Sequence, residues 1–123
     1  MVIIIIMRIS EITRLLSAEV IAGKDNLDTE IKSGCGSDIM GDVLAFVKDQ
    51  GVLLTGLVNP QVVRAAQMMG MPCICFVRGK RPDDAMIKIA DSGGTVLLAC
   101  KYRMFEACGI LYKNGLGACG AID

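Results

Sequence analysis

Histidine is absent from this chain of 123 residues. That removes the commonest general base, the Ser-His and Cys-His dyads, and the commonest metal ligand. Net charge is absent too, since 13 basic residues balance 13 acidic ones. Binders of nucleic acid and of anionic membranes usually carry a basic excess, so neither partner is expected. Long apolar runs are also missing. The greasiest stretch, Met1-Val-Ile-Ile-Ile-Ile-Met7, is far short of a membrane span. It lacks the basic n-region and the small-residue cleavage site of a signal peptide. Residues 1–6 read either as an extra strand or as an extension upstream of a domain that starts at Met7. No C-x-x-C spacing occurs, nor any linker, low-complexity tract or repeat longer than a strand–helix unit. The adjacent carboxylates Asp83 and Asp84 most simply mark a helix start, where the helix dipole favours negative charge. No complete catalytic constellation is present, and the expectation is a protein that is not an enzyme and holds no cofactor and no metal.

Apolar residues, by contrast, are abundant. They make up 53% of the chain, which excludes disorder. The length suits one core and not two, so residues 7–123 are read as a single domain. So apolar a chain (mean hydropathy +0.53) has more hydrophobic surface than one small core buries, which points to a homodimer. The six cysteines are Cys35, Cys73, Cys75, Cys100, Cys108 and Cys119. A chain with this much apolar material needs no disulfide staples, so they are read as reduced thiols of a cytoplasmic protein. Cys73 and Cys75 stand two apart in a strand and share a face; both are expected to be small buried hydrophobes.

From Gly51 onward the pattern is regular. Gly51-Val-Leu-Leu-Thr55, Cys73-Ile-Cys-Phe-Val77 and Thr95-Val-Leu-Leu-Ala-Cys100 read as buried strands. Asn59-Pro60 supplies a cap and a first-turn proline to a helix with Val62, Val63, Ala66 and Met69 inward, closed by Gly70. Pro82 opens a second helix, with Ala85, Met86, Ile89 and Ala90 on one face and Gly93-Gly94 at its end. Met104, Phe105, Cys108, Leu111 and Tyr112 mark a third helix, ended by Gly115. In the first half, Ser10 is expected to cap a short helix carrying Ile12, Leu15 and Leu16. Residues 19–22 and 29–32 read as short strands, and Ser37 caps a helix with Ile39, Met40, Val43, Leu44 and Val47 inward. Successive strand–helix units with apolar strands imply an α/β fold, a largely parallel central sheet flanked by helices.

Several of these stretches together resemble a DRTGG-type domain: Ser37-Asp-Ile-Met-Gly-Asp-Val-Leu44, Leu53-Leu-Thr-Gly56, Val62-Val-Arg-Ala-Ala66, and Gly94-Thr-Val96 with Cys100-Lys-Tyr102. The resemblance implies a fold like the N-terminal domain of HPr kinase and a regulatory role, in a family found beside CBS domains in some pyrophosphatases and as stand-alone proteins near iron hydrogenase genes. A hydrogenase-related protein partner is therefore among the implied partners. The chain departs from the family's name motif at Leu57-Val58-Asn59 and at residues 78–81.

The basic loops carry the functional expectation. Arg78, Lys80 and Arg81 follow the second buried strand, and Lys101 and Arg103 follow the third. In open parallel sheets, ligands bind beyond the carboxyl ends of the strands. Both loops also lead into helix N-termini, which suit anions. Gly56 and Gly79 would allow close backbone approach. The candidate site for a small anionic ligand, such as a nucleotide, is therefore Gly56, Asn59, Arg78, Gly79, Lys80, Arg81, Lys101 and Arg103, with Ser37 closing one side. Cys35, in Ser33-Gly-Cys-Gly-Ser37 ahead of a helix start, is a candidate reactive thiol. Two rival readings stand beside this one: a protein–protein interaction module whose basic loops are idle, and a thiol-based redox-responsive accessory protein. Met68, Met69 and Met71 cluster at one helix end, Met69 as core and the others as an adaptable surface.

Overall fold

Side chains alternate along the strands between two apolar layers, and this alternation sets the architecture. The computed structural model describes residues 6–39, 41 and 50–118. In chain order these form β1 (Met7–Arg8), α1 (Ile9–Leu15), β2 (Glu19–Ala22), a 3-10 turn (Lys24–Asn26), β3 (Glu30–Ile31), β4 (Ser33–Gly36), β5 (Gly51–Thr55), α2 (Pro60–Met68), β6 (Cys73–Phe76), α3 (Asp84–Gly93), β7 (Val96–Ala99), α4 (Met104–Lys113) and β8 (Gly117–Ala118). The main sheet has the order β2-β7-β6-β5-β4-β8, and β1 pairs with β3 in a separate ribbon. β7, β6, β5, β4 and β8 are parallel, with Leu53 opposite Ile74 and Ile74 opposite Leu97. β2 closes one edge antiparallel to β7. The expected largely parallel α/β sheet is what forms.

Val52, Leu54, Cys73, Cys75, Val96 and Leu98 face α1 and α4. Leu53, Ile74, Phe76 and Leu97 face α2 and α3. The strand runs are apolar throughout because both faces are covered. α2 and α3 start at side-chain caps: Asn59 Oδ1 accepts the Val62 N–H at 2.9 Å, and Asp83 Oδ1 accepts that of Met86 at 2.9 Å. Gly70 (φ +75°) and Gly94 (φ +72°) follow these helices in the left-handed conformation that glycine tolerates best. Gln67 ties the pair together, its Nε2 donating to Ile89 O at 2.9 Å and to Thr95 Oγ1 at 3.1 Å.

Several expectations are corrected. Pro82 precedes α3, whose cap is Asp83, and Ala85 faces solvent; the buried stripe is Met86 and Ala90 with Ile87 and Ile89 half-buried. Ser10 lies inside α1, which begins at Ile9, so it is not the cap. Met71 is the buried methionine of its cluster, Met69 is half-buried and Met68 is exposed. On α4, Phe105 and Tyr112 are 87% and 74% exposed, and Ala107 and Leu111 are the buried residues. Cys35, expected just ahead of a helix start, lies within a strand, Ser33–Gly36, paired to β5 and β8. The helix expected after Ser37, with Met40, Val43, Leu44 and Val47 inward, falls almost wholly outside the described residues. Of its expected inward residues Ile39 is described, and it is 61% exposed. No helix among the described residues is long and apolar enough to cross a membrane.

Candidate functional site

Four consecutive parallel strands, β4 to β7, end on the same edge of the sheet, and the loops that leave them meet there. The ladder runs one step past β4, with Ser37 N–H donating to Leu54 O at 3.0 Å. Ser37 Oγ then accepts the Ile39 N–H at 3.1 Å, a tight local turn. This turn presents Asp38 to the end of β5. Asp38 Oδ1 accepts the Gly56 N–H at 2.6 Å and the Thr55 hydroxyl at 3.3 Å. Thr55 is fully buried, and its Oγ1 in turn accepts the Leu57 N–H at 3.1 Å, so the hydroxyl is satisfied both ways.

The Asp38 carboxylate also faces Arg78, at 3.8 Å between Oδ2 and Nη2. The guanidinium lies so close over Gly56 that a Cβ there would collide with it. In this arrangement the space over Gly56 is taken by Arg78, and a side chain there would displace the guanidinium. Arg78 itself has φ +61° and Gly79 has φ +70°. With Lys80 N–H donating to Val77 O at 3.1 Å, residues 77–80 form a turn whose two central residues are both left-handed. For arginine this conformation carries a cost of roughly 1–2 kcal/mol. It is held by bonds from Arg78 N–H to Tyr102 O (2.8 Å) and Gly79 N–H to Cys100 O (2.9 Å), which clamp the β6 loop onto the β7 loop. Those two N–H groups are therefore used within the protein.

The other expected residues divide. Asn59 spends its side chain as the α2 cap. Arg81 swings to the β2 edge and grips Glu19 with two bonds, 2.7 and 3.2 Å. That pairing lowers the Glu19 pKa and raises that of Arg81, through the hydrogen bond first and the charge second. Lys80, Lys101 and Arg103 are exposed and make no ion pair among the described residues. Arg103 is the N-cap residue of α4 without a side-chain cap bond, so that helix start, unlike those of α2 and α3, is left open. Lys101, Gly79, Arg81, Glu19 and Cys100 line a hollow of about 270 Å³ beside it.

Cys35 lies within β4 opposite Leu53, half-buried against the α2 and α3 side of the core. It is not at a helix start, where a dipole would activate it. Cys73, Cys75 and Cys100 are buried on the opposite face, with Cys108 packed against them. Burial pushes the Cys73 thiol up. A hydrogen bond between Cys75 and Cys100 raises the first thiol and lowers the second to about 7. Among the described residues no disulfide forms and no group of three or more His, Cys, Asp or Glu is placed to hold a metal ion. Asp38 was not among the expected site residues, although it lies in the first stretch that carries the family resemblance. It stands two residues past a strand that the sequence does not announce.

No protein-family model matches this chain, and no curated protein matches it in sequence. Solved structures do match it. One is the crystal structure of the CBS and DRTGG domains of the regulatory region of a Clostridium perfringens pyrophosphatase, complexed with its activator, diadenosine tetraphosphate. The TM-score is 0.70 at 13% identity, over 85% of this chain and 45% of that one. The likeness is one of fold. The chain spans less than half of that regulatory region, and the fold it shares with it is the mostly parallel sheet whose edge carries the cluster above.

Proposed function

We propose that this chain is a non-catalytic regulatory domain of the DRTGG type, which binds a small anionic ligand, a nucleotide, at the carboxyl edge of its sheet. The observation that carries this reading is the convergence of Asp38, Gly56 and Arg78 at the ends of parallel strands, with the loop that carries Lys101 clamped to the Arg78–Gly79 turn. A non-glycine residue held in a left-handed conformation by the neighbouring loop adds to it, since such strain gathers at ligand-binding sites. The start of α4, flanked by Lys101 and Arg103, lacks a side-chain cap among the described residues, and the first N–H groups of a helix suit a phosphate. Arg78 contributes a further delocalised charge, whose ion-pair partner among the described residues is a carboxylate at 3.8 Å. Arg81 and Asn59 serve the fold instead of the ligand. The fold it shares with a regulatory region solved with a dinucleotide supports the same class of role. The domain acts as a homodimer or through a protein partner that reads the liganded state.

Titration calorimetry of the full chain with AMP, ADP, diadenosine tetraphosphate and sugar phosphates tests the reading. At least one should bind well below millimolar, more weakly as salt rises. Arg78→Ala should weaken it about tenfold while the melting temperature changes little. Absence of submillimolar binding across the panel would count against the proposal.

A further inference from the structure

An apolar groove of about 340 Å³ runs along the α4 side of β4, a volume at the small end of known ligand pockets. Its floor is Gly34 and Gly36 of β4 with Leu54 of β5, and its outer wall is Phe105, Gly109 and Tyr112 of α4. The floor is close to bare backbone. A Cβ at Gly34 would stand 3.2 Å from Leu116, and one at Gly36 would stand 2.7 Å from Cys108 Sγ.

Gly109 has no such reason to be glycine. It lies mid-helix, where glycine is the poorest choice after proline. Its φ is not left-handed, and a Cβ added there would meet nothing within 4 Å. Gly117, at the groove's far end, is alike in both respects. What glycine does at Gly109 is keep the wall of the groove low. Phe105 and Tyr112, seven residues and so two turns apart, stand on either side of it with most of their surface in water. Two aromatic side chains exposed beside an apolar slot are placed to stack on a flat ligand and be covered by it.

The groove also leads to the edge already described. Gly36 is followed directly by Ser37 and Asp38, and the Asp38 carboxylate bonds Thr55 and Gly56 and faces Arg78. A molecule lying in both places must be flat and aromatic at one end and anionic at the other. We infer that the groove receives the base of a nucleotide whose phosphate lies among the cations at the carboxyl edge. This inference rests on the reading of that edge as an anion site.

The test is calorimetry on the full chain with AMP, ribose 5-phosphate and adenosine, using the wild type, Gly109→Leu and Arg78→Ala. Leucine at position 109 fills the groove from an unobstructed position and improves helix propensity, so its melting temperature should equal or exceed that of the wild type. AMP should bind at least tenfold tighter than ribose 5-phosphate to the wild type. Gly109→Leu should reduce AMP to the ribose 5-phosphate level and leave ribose 5-phosphate unchanged, whereas Arg78→Ala should weaken both. Phe105→Ala, a truncation of an exposed side chain, should lower AMP affinity several-fold and not that of the sugar phosphate. Equal binding of AMP and ribose 5-phosphate to the wild type overturns the groove assignment and leaves the anion site standing. Adenosine binding as tightly as AMP, with Arg78→Ala silent, overturns the anion site and with it the two-ended ligand. No binding of AMP up to millimolar overturns the inference outright.

Discussion

On the α2 and α3 side of the sheet, Leu53, Ile74, Phe76 and Leu97 are sealed beneath Val62, Val63, Ala66, Met86 and Ala90, all at or near zero exposure. On the α4 side the strands are as apolar, but the covering helix buries Ala107 and Leu111 fully, packs Met104, Cys108 and Ile110 only partly buried against the core, and turns Phe105 and Tyr112 outward. The first face has a side-chain clamp, Gln67, bonded to both α3 and the start of β7. The second has glycines in the strand at the contact, Gly34 and Gly36, and an unobstructed glycine, Gly109, in the helix. The difference separates two uses of one sheet. Where packing, caps and propensity agree, a layer closes and stabilises; where a helix sets an exposed glycine between two exposed aromatics, a groove stays open beside the strand.

The sharpest way to break this comparison is to damage the sealed face. Phe76→Ala removes the largest fully buried side chain there and should cost about 3–5 kcal/mol, read from urea unfolding. A loss under about 1 kcal/mol would mean that face is not the closed one. The open face should respond less to a change of the opposite kind. Gly36→Val places a side chain where Cys108 Sγ would stand 2.7 Å from its Cβ and Met104 Sδ 3.0 Å. The expected cost is about 1–3 kcal/mol. If unfolding shows no loss, α4 is not pressed onto the strand at that point.

The smallest effect concerns the edge far from either layer. Arg81 holds the Glu19 carboxyl below its ordinary value of 4.5. A lowered carboxyl pKa contributes stability above 4.5 that is lost as pH falls through the folded-state value. Arg81→Ala should therefore raise the Glu19 pKa toward 4.5 in an NMR titration and flatten the acid limb of stability. Both side chains are more than half exposed, so salt should erase most of the effect. An unmoved Glu19 would show that the bidentate pair does not persist in solution.

The middle and later strands were legible because their signals are local. Residues 51–55, 73–76 and 96–99 are apolar on both faces, and Asn59, Asp83, Gly70 and Gly94 punctuate the helices between them. β4 was not legible. Ser-Gly-Cys-Gly has the composition of a turn, and it is a strand because β5 and β8 flank it and supply its hydrogen-bond partners. The exposure of Phe105 was likewise hidden, since apolar spacing marks a helix without saying which apolar residues find a partner. Of the expected site, the meeting of the β5, β6 and β7 loops was legible from strand order. The diversion of Arg81 and Asn59, and the entry of Asp38, were not.

By itself, then, the sequence determined the parallel strand–helix order and the side of the sheet on which the basic loops emerge. Both follow from apolar runs, caps and turns that act over a few residues. The tertiary structure alone decided which cations keep their charge available. The Arg81–Glu19 pair joins residues 62 apart in the chain, and the turn at Arg78 is held by carbonyls of the next loop. Contacts of that range exist only once the sheet has brought its strand ends together, because a charge chooses its partner by distance in space and not by position along the chain.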